Sequence, residues 1–385
     1  MSRCAPLTRS SDLHLDTRGR RAARAPGSEG GLRVLFATPG EGGEPTAQAV
    51  ALSEMLRSRG HAVVGCVGRG ARRSGCRAPG RLEAAVARAE PDVVVSFHEG
   101  PAGAPAVLRP LDAPVVAVGR PFVARHVAPA LLRETLVRRA ARAASARLAG
   151  LGASVRLALS FYDAGRYGTR DRVVPPLLRR DLLALADRPC DGSLVVHLAD
   201  AALVGPLAAW SDRHPGVRVH AFAAVAPHAH SAALTVHGLD GQAFLERAAV
   251  ARGVACPAAF GAASEALWLG RPALLVPTAG RPEQQRDAAD AEAAGAGWSA
   301  ATPDLDLFLD RLDADDAAAR GAATTRFRAW AGQAEDRVVG AVEAVAGVQS
   351  RPALRLGRAG LGVSGDGRGG AADLEVTWAA PQPTR

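Results

Sequence analysis

Short, continuous apolar runs alternate along this chain with segments in which apolar residues return every three or four positions. The runs at 33–38, 63–67, 91–97, 115–118 and 156–161 predict strands buried on both faces, since only a strand covered from both sides reads as unbroken apolar sequence. Between the first two, 45–59 carries Ala49, Leu52 and Leu56 on one helical face and stops at Gly60. The same alternation restarts with strands at 193–198, 217–222, 253–256 and 273–276. Helices are expected over 206–210, 242–251, from 262 to Gly270, and over 287–294, 305–312 and 323–345. An extended, proline-containing stretch at 173–179 leads from the first series to the second. Strand and helix in strict alternation predict parallel sheets covered by helices, so the fold class is α/β with two Rossmann-like doubly wound domains. Their expected bounds are 32–180 and 181–349, flanked by a disordered leader (1–31) and a mostly disordered tail (350–385), both rich in Arg and Gly and without period.

Candidate chemistry gathers in 254–297, where a turn of small residues, Pro257 to Gly261, feeds a helix. The unpaired N–H groups and positive dipole end of such a helix can hold a diphosphate, and small side chains let it approach the backbone. Glu265 then falls in the first or second turn, beside the place of a nucleotide's ribose, where a carboxylate can accept from both hydroxyls of a diol. A second place of interest is the end of the strand at 91–97, where Phe97-His98-Glu99-Gly100 stands at the carboxyl edge that ligands use in open parallel sheets. His98 and Glu99 are candidates for general-base work there.

The blocks Ser264-Glu265-Ala266-Leu267, Leu269-Gly270-Arg271-Pro272, Val276-Pro277, Glu283-Gln284 and Glu292-Ala293-Ala294-Gly295-Ala296-Gly297, in this order, resemble the donor-binding half of GT-B glycosyltransferases. The likeness is to the superfamily that contains the lipid II N-acetylglucosaminyltransferase, and is closer to a little-characterised bacterial and archaeal branch. Asp92-Val93-Val94-Val95-Ser96-Phe97, Pro114-Val115-Val116 and the stretch 173–179 extend it into the N-terminal half. The resemblance implies a GT-B fold, with an acceptor domain and a donor domain facing a central cleft, and hexosyl transfer from a nucleotide-diphosphate sugar, a UDP-sugar first. It implies no cofactor and no metal. It assigns Ala262, Ala263 and Ser264 to the phosphates, Glu265 to the ribose, Glu283 and Gln284 to sugar hydroxyls, and the loop of His237 and Leu239 to the base. Gly40-Glu41-Gly42-Gly43 and Gln48-Ala49 match the first block of the branch, but its catalytic histidine falls on Pro45, which cannot take a proton. Glu99 is therefore the first candidate for the base, His98 the alternative, and Glu41 a positioning group. A catalytically degenerate protein that keeps the nucleotide-sugar site, and a nucleotide-sugar epimerase of similar shape, are the rival readings.

Composition adds three constraints. Of 385 residues 48% are hydrophobic but only 4% aromatic, so the cores must be built from Ala, Val and Leu. The five cysteines are scattered and odd in number, with no paired metal-type spacing, which suits a reducing compartment without disulfide or zinc. No apolar run is long enough to span a membrane and no signal core opens the chain, so a cytoplasmic protein is expected. All fixed positive charge is arginine, and it is unevenly spread: 23 arginines against 11 carboxylates over 31–180, but 13 against 21 over 181–349. The basic half is expected to meet an anionic or lipid-linked acceptor, or the anionic inner face of the membrane, rather than nucleic acid.

Overall fold

A computed structural model describes residues 30–38, 44–68, 82–98, 111–125, 144, 146–147, 150–164 and 170–349. Two sheets organise them. The first has six parallel strands in the order β2-β1-β3-β4-β5-β6: β1 Arg33–Thr38, β2 Ala62–Gly68, β3 Val93–His98, β4 Val115–Gly119, β5 Val155–Leu159 and β6 Asp171–Val174. Helix α1 (Glu44–Ser58) crosses from β1 to β2 and buries Ala49, Leu52 and Leu56, the face its spacing predicts. Helix α2 (Leu82–Ala89), which the pattern did not reveal, links β2 to β3.

The second sheet has seven strands in the order β13-β12-β11-β7-β8-β10-β9. These are β7 Leu194–His197, β8 Val219–Phe222, β9 His228–Ala229, β10 Leu234–His237, β11 Gly253–Pro257, β12 Ala273–Val276 and β13 Gly297–Ser299. All neighbours are parallel except the β9–β10 pair. A one-turn helix, α3 (Arg180–Leu183), opens this half, followed by α4 (Val204–Arg213) and α5 (Gly241–Ala248). Helix α6 (Phe260–Leu269) joins β11 to β12, and α7 (Pro282–Ala294) joins β12 to β13. Both end on a left-handed glycine, Gly270 (φ 68°) and Gly295 (φ 89°), a backbone state that a side chain would disfavour. Helix α7 begins five residues earlier than its apolar pattern suggests, because Pro282 starts a helix well at its first position and the polar Glu-Gln-Gln-Arg run that follows has an exposed side to occupy.

The chain then returns to the first half through α8 (Leu305–Asp313), α9 (Ala317–Ala331), a π-helical turn at Glu335–Val339 and α10 (Gly340–Gln349). The single helix expected over 323–345 is thus broken after Ala331. Val338, Val339, Val342 and Val345 enter the same core as Val34, Phe36, Leu52 and Leu56, so one apolar core runs through both sheets. Among the described residues no helix is long and apolar enough to cross a membrane.

Candidate active site

The site is assembled where the carboxyl ends of the strands in both sheets come together. Strand β11 ends at Pro257, and Ala258 is tied to β12 by its N–H to Val276 O (3.1 Å). Ala259 precedes α6 in extended conformation and has no side-chain oxygen to cap it. The N–H groups of Phe260, Gly261 and Ala262 therefore point out of the helix end without an intrahelical acceptor. Ala263 N–H already donates to Ala259 O (3.1 Å), and Ala263 is buried. Ser264 is fully buried, and its hydroxyl donates to Phe260 O (2.8 Å). The backbone of the first turn is thus open to an anion, whereas the serine hydroxyl is committed to the helix.

Glu265 follows in the second turn and lines a narrow slot with Gln48 of α1, Leu178 and Arg179 of the interdomain stretch, and Phe260. No described group hydrogen-bonds its carboxyl. Burial pushes the carboxyl up to about 7, against the pull of Arg179 and with a further push from Asp181. The slot has room for about 30 Å³, one water molecule rather than a nucleotide, so the two halves stand close at this point.

At the ends of β7, β8 and β10, His197, Phe222 and His237 share one register row. Phe222 stacks on His237 (4.7 Å, 17°), and Phe244 of α5 covers both His197 and Phe222. His220 Nδ1 meets His237 Nε2 at 3.1 Å. Burial lowers all three histidines, His220 to about 4. Leu239, beyond the loop glycine, is partly buried against the core, and Asp240 caps α5 by accepting from Gln242 and Ala243. Glu283 and Gln284 stand in the first turn of α7 rather than in a loop; Gln284 Oε1 accepts from Thr278 N–H (2.7 Å), and Glu283 stays beside Arg281. Alignment of these groups along the carboxyl edge of one sheet is what the structure brings together.

On the facing sheet His98 ends β3, buried, with its ring edge-on to Phe122 (5.5 Å) and its Nδ1 without a partner. Burial holds its imidazole down at about 4. Pro45 falls in the first turn of α1. Glu99 and Glu41 lie outside the described residues. Among the described residues no three His, Cys, Asp or Glu side chains converge as metal ligands.

The group that sequence reasoning passed over is Arg120, directly after β4. Its guanidinium is bound by Asp287 and Asp290 of α7 (2.8 Å each) and lies 4.5 Å from the ring centre of Phe260, the first residue of α6. An arginine closing a parallel strand was its only signal.

The sequence matches the profile of glycosyl transferase family 1 over residues 76–313, more than half of the chain. The chain belongs to that family. Its activity is therefore sugar transfer in the coarse sense that the family defines. No curated protein matches this glycosyl transferase. Among solved structures it is similar to the spinosyn forosaminyltransferase SpnP, with 14% identity and a TM-score of 0.56 over 82% of this chain and 100% of that one. It is also similar to the glycosyltransferase SnogD from Streptomyces nogalater (19% identity, TM-score 0.53, 82% and 100% covered). A UDP-GlcNAc 2-epimerase from Neisseria meningitidis bound to UDP-GlcNAc shares the architecture as well (13%, 0.50, 81% and 100%). At these identities the likeness is one of fold: two Rossmann-like domains in the GT-B arrangement.

Proposed function

We propose that this glycosyl transferase moves a sugar, a hexose first, from a nucleotide-diphosphate sugar, with UDP as the foremost nucleotide. The observation that carries the reading is Glu265: a carboxyl in the second turn of α6, lining the interdomain slot, with no hydrogen-bond partner among the described residues. In this reading the ribose hydroxyls donate to it. The diphosphate takes the N–H groups of Phe260, Gly261 and Ala262, with the helix dipole behind them. The base lies against the His237-Gly238-Leu239 turn, and Glu283 and Gln284 reach the sugar hydroxyls. The charge that develops on the leaving diphosphate is then met by backbone donors, and transfer needs no metal; added chelator should leave turnover unchanged. The Ser264-Glu265-Ala266 and Leu269-Gly270-Arg271-Pro272 blocks support kinship with the lipid II N-acetylglucosaminyltransferase type.

For the acceptor's proton we assign Glu99, with His98 as the alternative and Glu41 as its positioning group. A buried imidazole held near 4 is a weak base, which favours the carboxylate. The acceptor itself is an anionic or lipid-linked molecule on the arginine-rich N-terminal half, and the protein works in the cytoplasm at or near the inner membrane face. Co-sedimentation with phosphatidylglycerol vesicles at low salt, lost at high salt, is the expected sign of the latter, and no binding would remove it.

The test of function is turnover of a panel of nucleotide-sugars by wild type, Glu99→Gln, His98→Ala and Glu41→Gln. Wild type should release nucleotide from a UDP-sugar and Glu99→Gln should not. Pro45, at the position of the catalytic histidine in the branch it resembles, favours one second reading, a protein that binds the donor without chemistry. Nucleotide binding without turnover of any donor would decide for that reading.

A further inference from the structure

We propose that Arg120, a residue of the N-terminal sheet, is a positioning residue for the donor site of the C-terminal half. This rests on the donor reading of α6 and α7 given above. The guanidinium uses all three of its nitrogens. Nε and Nη2 donate to Asp287 Oδ1 (3.0 and 2.8 Å), Nη2 to Asp290 Oδ2 (2.8 Å), and Nη1 to the carbonyl of Leu159 at the end of β5 (2.9 Å). Its central carbon lies against two aromatic rings, Phe161 of its own half at 5.3 Å and Phe260 of the other at 4.5 Å, and those rings pack on each other with centroids 4.5 Å apart. Tyr162 donates to the other oxygen of Asp290 (2.7 Å), so that carboxylate is held from both sides by the N-terminal half.

The three partners in the C-terminal half lie on the two elements that would carry the donor. Phe260 is the first residue of α6, where the diphosphate would sit. Asp287 and Asp290 lie one and two turns into α7, whose first turn holds Glu283 and Gln284. One buried cation therefore sets the start of α6 against α7. Such spacing matters, since a misplacement of about 1 Å in a binding constellation can cost about 10²-fold. The fork of an arginine fits this duty; a lysine would keep the charge but not the simultaneous grip on two carboxylates and a carbonyl.

The experiment is titration of UDP into the full chain by calorimetry, paired with hydrogen exchange of the nucleotide-free protein. The variants are Arg120→Gln, Arg120→Lys, Tyr162→Phe and, as a control for interdomain contact in general, Arg59→Gln, which breaks the ion pairs between α1 and the returning C-terminal segment. Arg120→Gln should weaken UDP binding by on the order of tenfold or more and raise exchange in the first turns of α6 and α7. Arg120→Lys should recover part of the affinity, and Arg59→Gln should bind UDP like wild type. Tyr162→Phe leaves Arg120 and both aspartates in place and should weaken UDP a few-fold, so it carries the test if Arg120→Gln does not fold. UDP affinity and exchange equal to wild type in the folded Arg120 and Tyr162 variants would overturn the assignment. Equal losses in Arg59→Gln would do so too, by reducing Arg120 to general stability. If wild type itself binds no UDP the donor reading fails, while the exchange arm still reports whether Arg120 orders α6 and α7.

Discussion

Two arginines of the N-terminal half reach across to the C-terminal segment, and they do so in opposite ways. Arg120 is 11% exposed, and its partners Asp287 and Asp290 are 13% and 8% exposed. Arg59 meets Glu335, Asp336 and Glu343, of which Asp336 is 84% exposed. The buried cluster is lined by aromatic rings and fixed in direction by four hydrogen bonds from one guanidinium. The outer one is a wet strap of carboxylates that can exchange partners with water. A buried pair contributes little net energy over an apolar replacement but costs much to break on one side, whereas an exposed pair contributes little and costs little to break. The contrast separates a contact that sets geometry from one that merely tethers the returning helix.

Arg120→Gln should therefore give the largest loss, about 3–5 kcal/mol in urea unfolding, because two buried carboxylates are left facing each other. Asp287, already raised by burial, should take up a proton as pH falls, so the loss should shrink at acid pH. A loss below ~1 kcal/mol would put Arg120 in the same class as Arg59.

Glu265→Gln should show an intermediate effect whose sign depends on pH. The carboxyl stands at about 7 in the fold against a usual value of 4.5, so the fold favours its protonated form. Stability from this group is present below the usual value and is lost as pH rises from about 4.5 through 7. The glutamine variant lacks that loss. Its melting temperature should gain on wild type between pH 5 and pH 8, and parallel curves would show that the carboxyl is not strained by its surroundings.

Arg59→Gln should give the smallest effect, under about 1 kcal/mol and fading with salt. A larger, salt-independent loss would erase the contrast between the two clusters.

Much of this architecture is legible in the sequence, and the reason differs by element. Strands Arg33–Thr38 and Ala273–Val276 read correctly to the residue because both faces are covered and polar or proline residues bound them. The pattern places Glu265 in the first or second turn of a helix from Ala262; the helix starts at Phe260, two residues earlier, which puts Glu265 in the second. The start of helix α7 is hidden because Glu-Gln-Gln-Arg has no apolar period to announce it, and α2 goes unannounced because only eight residues carry its pattern. The direction of the Ser264 hydroxyl is a rotamer choice, invisible in one dimension. Arg120 escaped notice for a stronger reason: its partners lie 167 and 170 residues away, in the other half of the molecule, and no local periodicity encodes such a pairing.

The central claim, that Glu265 of α6 belongs to the binding site of a nucleotide diphosphate, is tested most directly by titrating UDP into wild type and Glu265→Ala at pH 8, where the carboxyl is ionised. Wild type should bind, and the variant should lose ~1.5–3 kcal/mol of affinity, the worth of hydrogen bonds to a charged group, with its fold intact by circular dichroism. No binding by wild type, or equal binding by the two proteins, would contradict it.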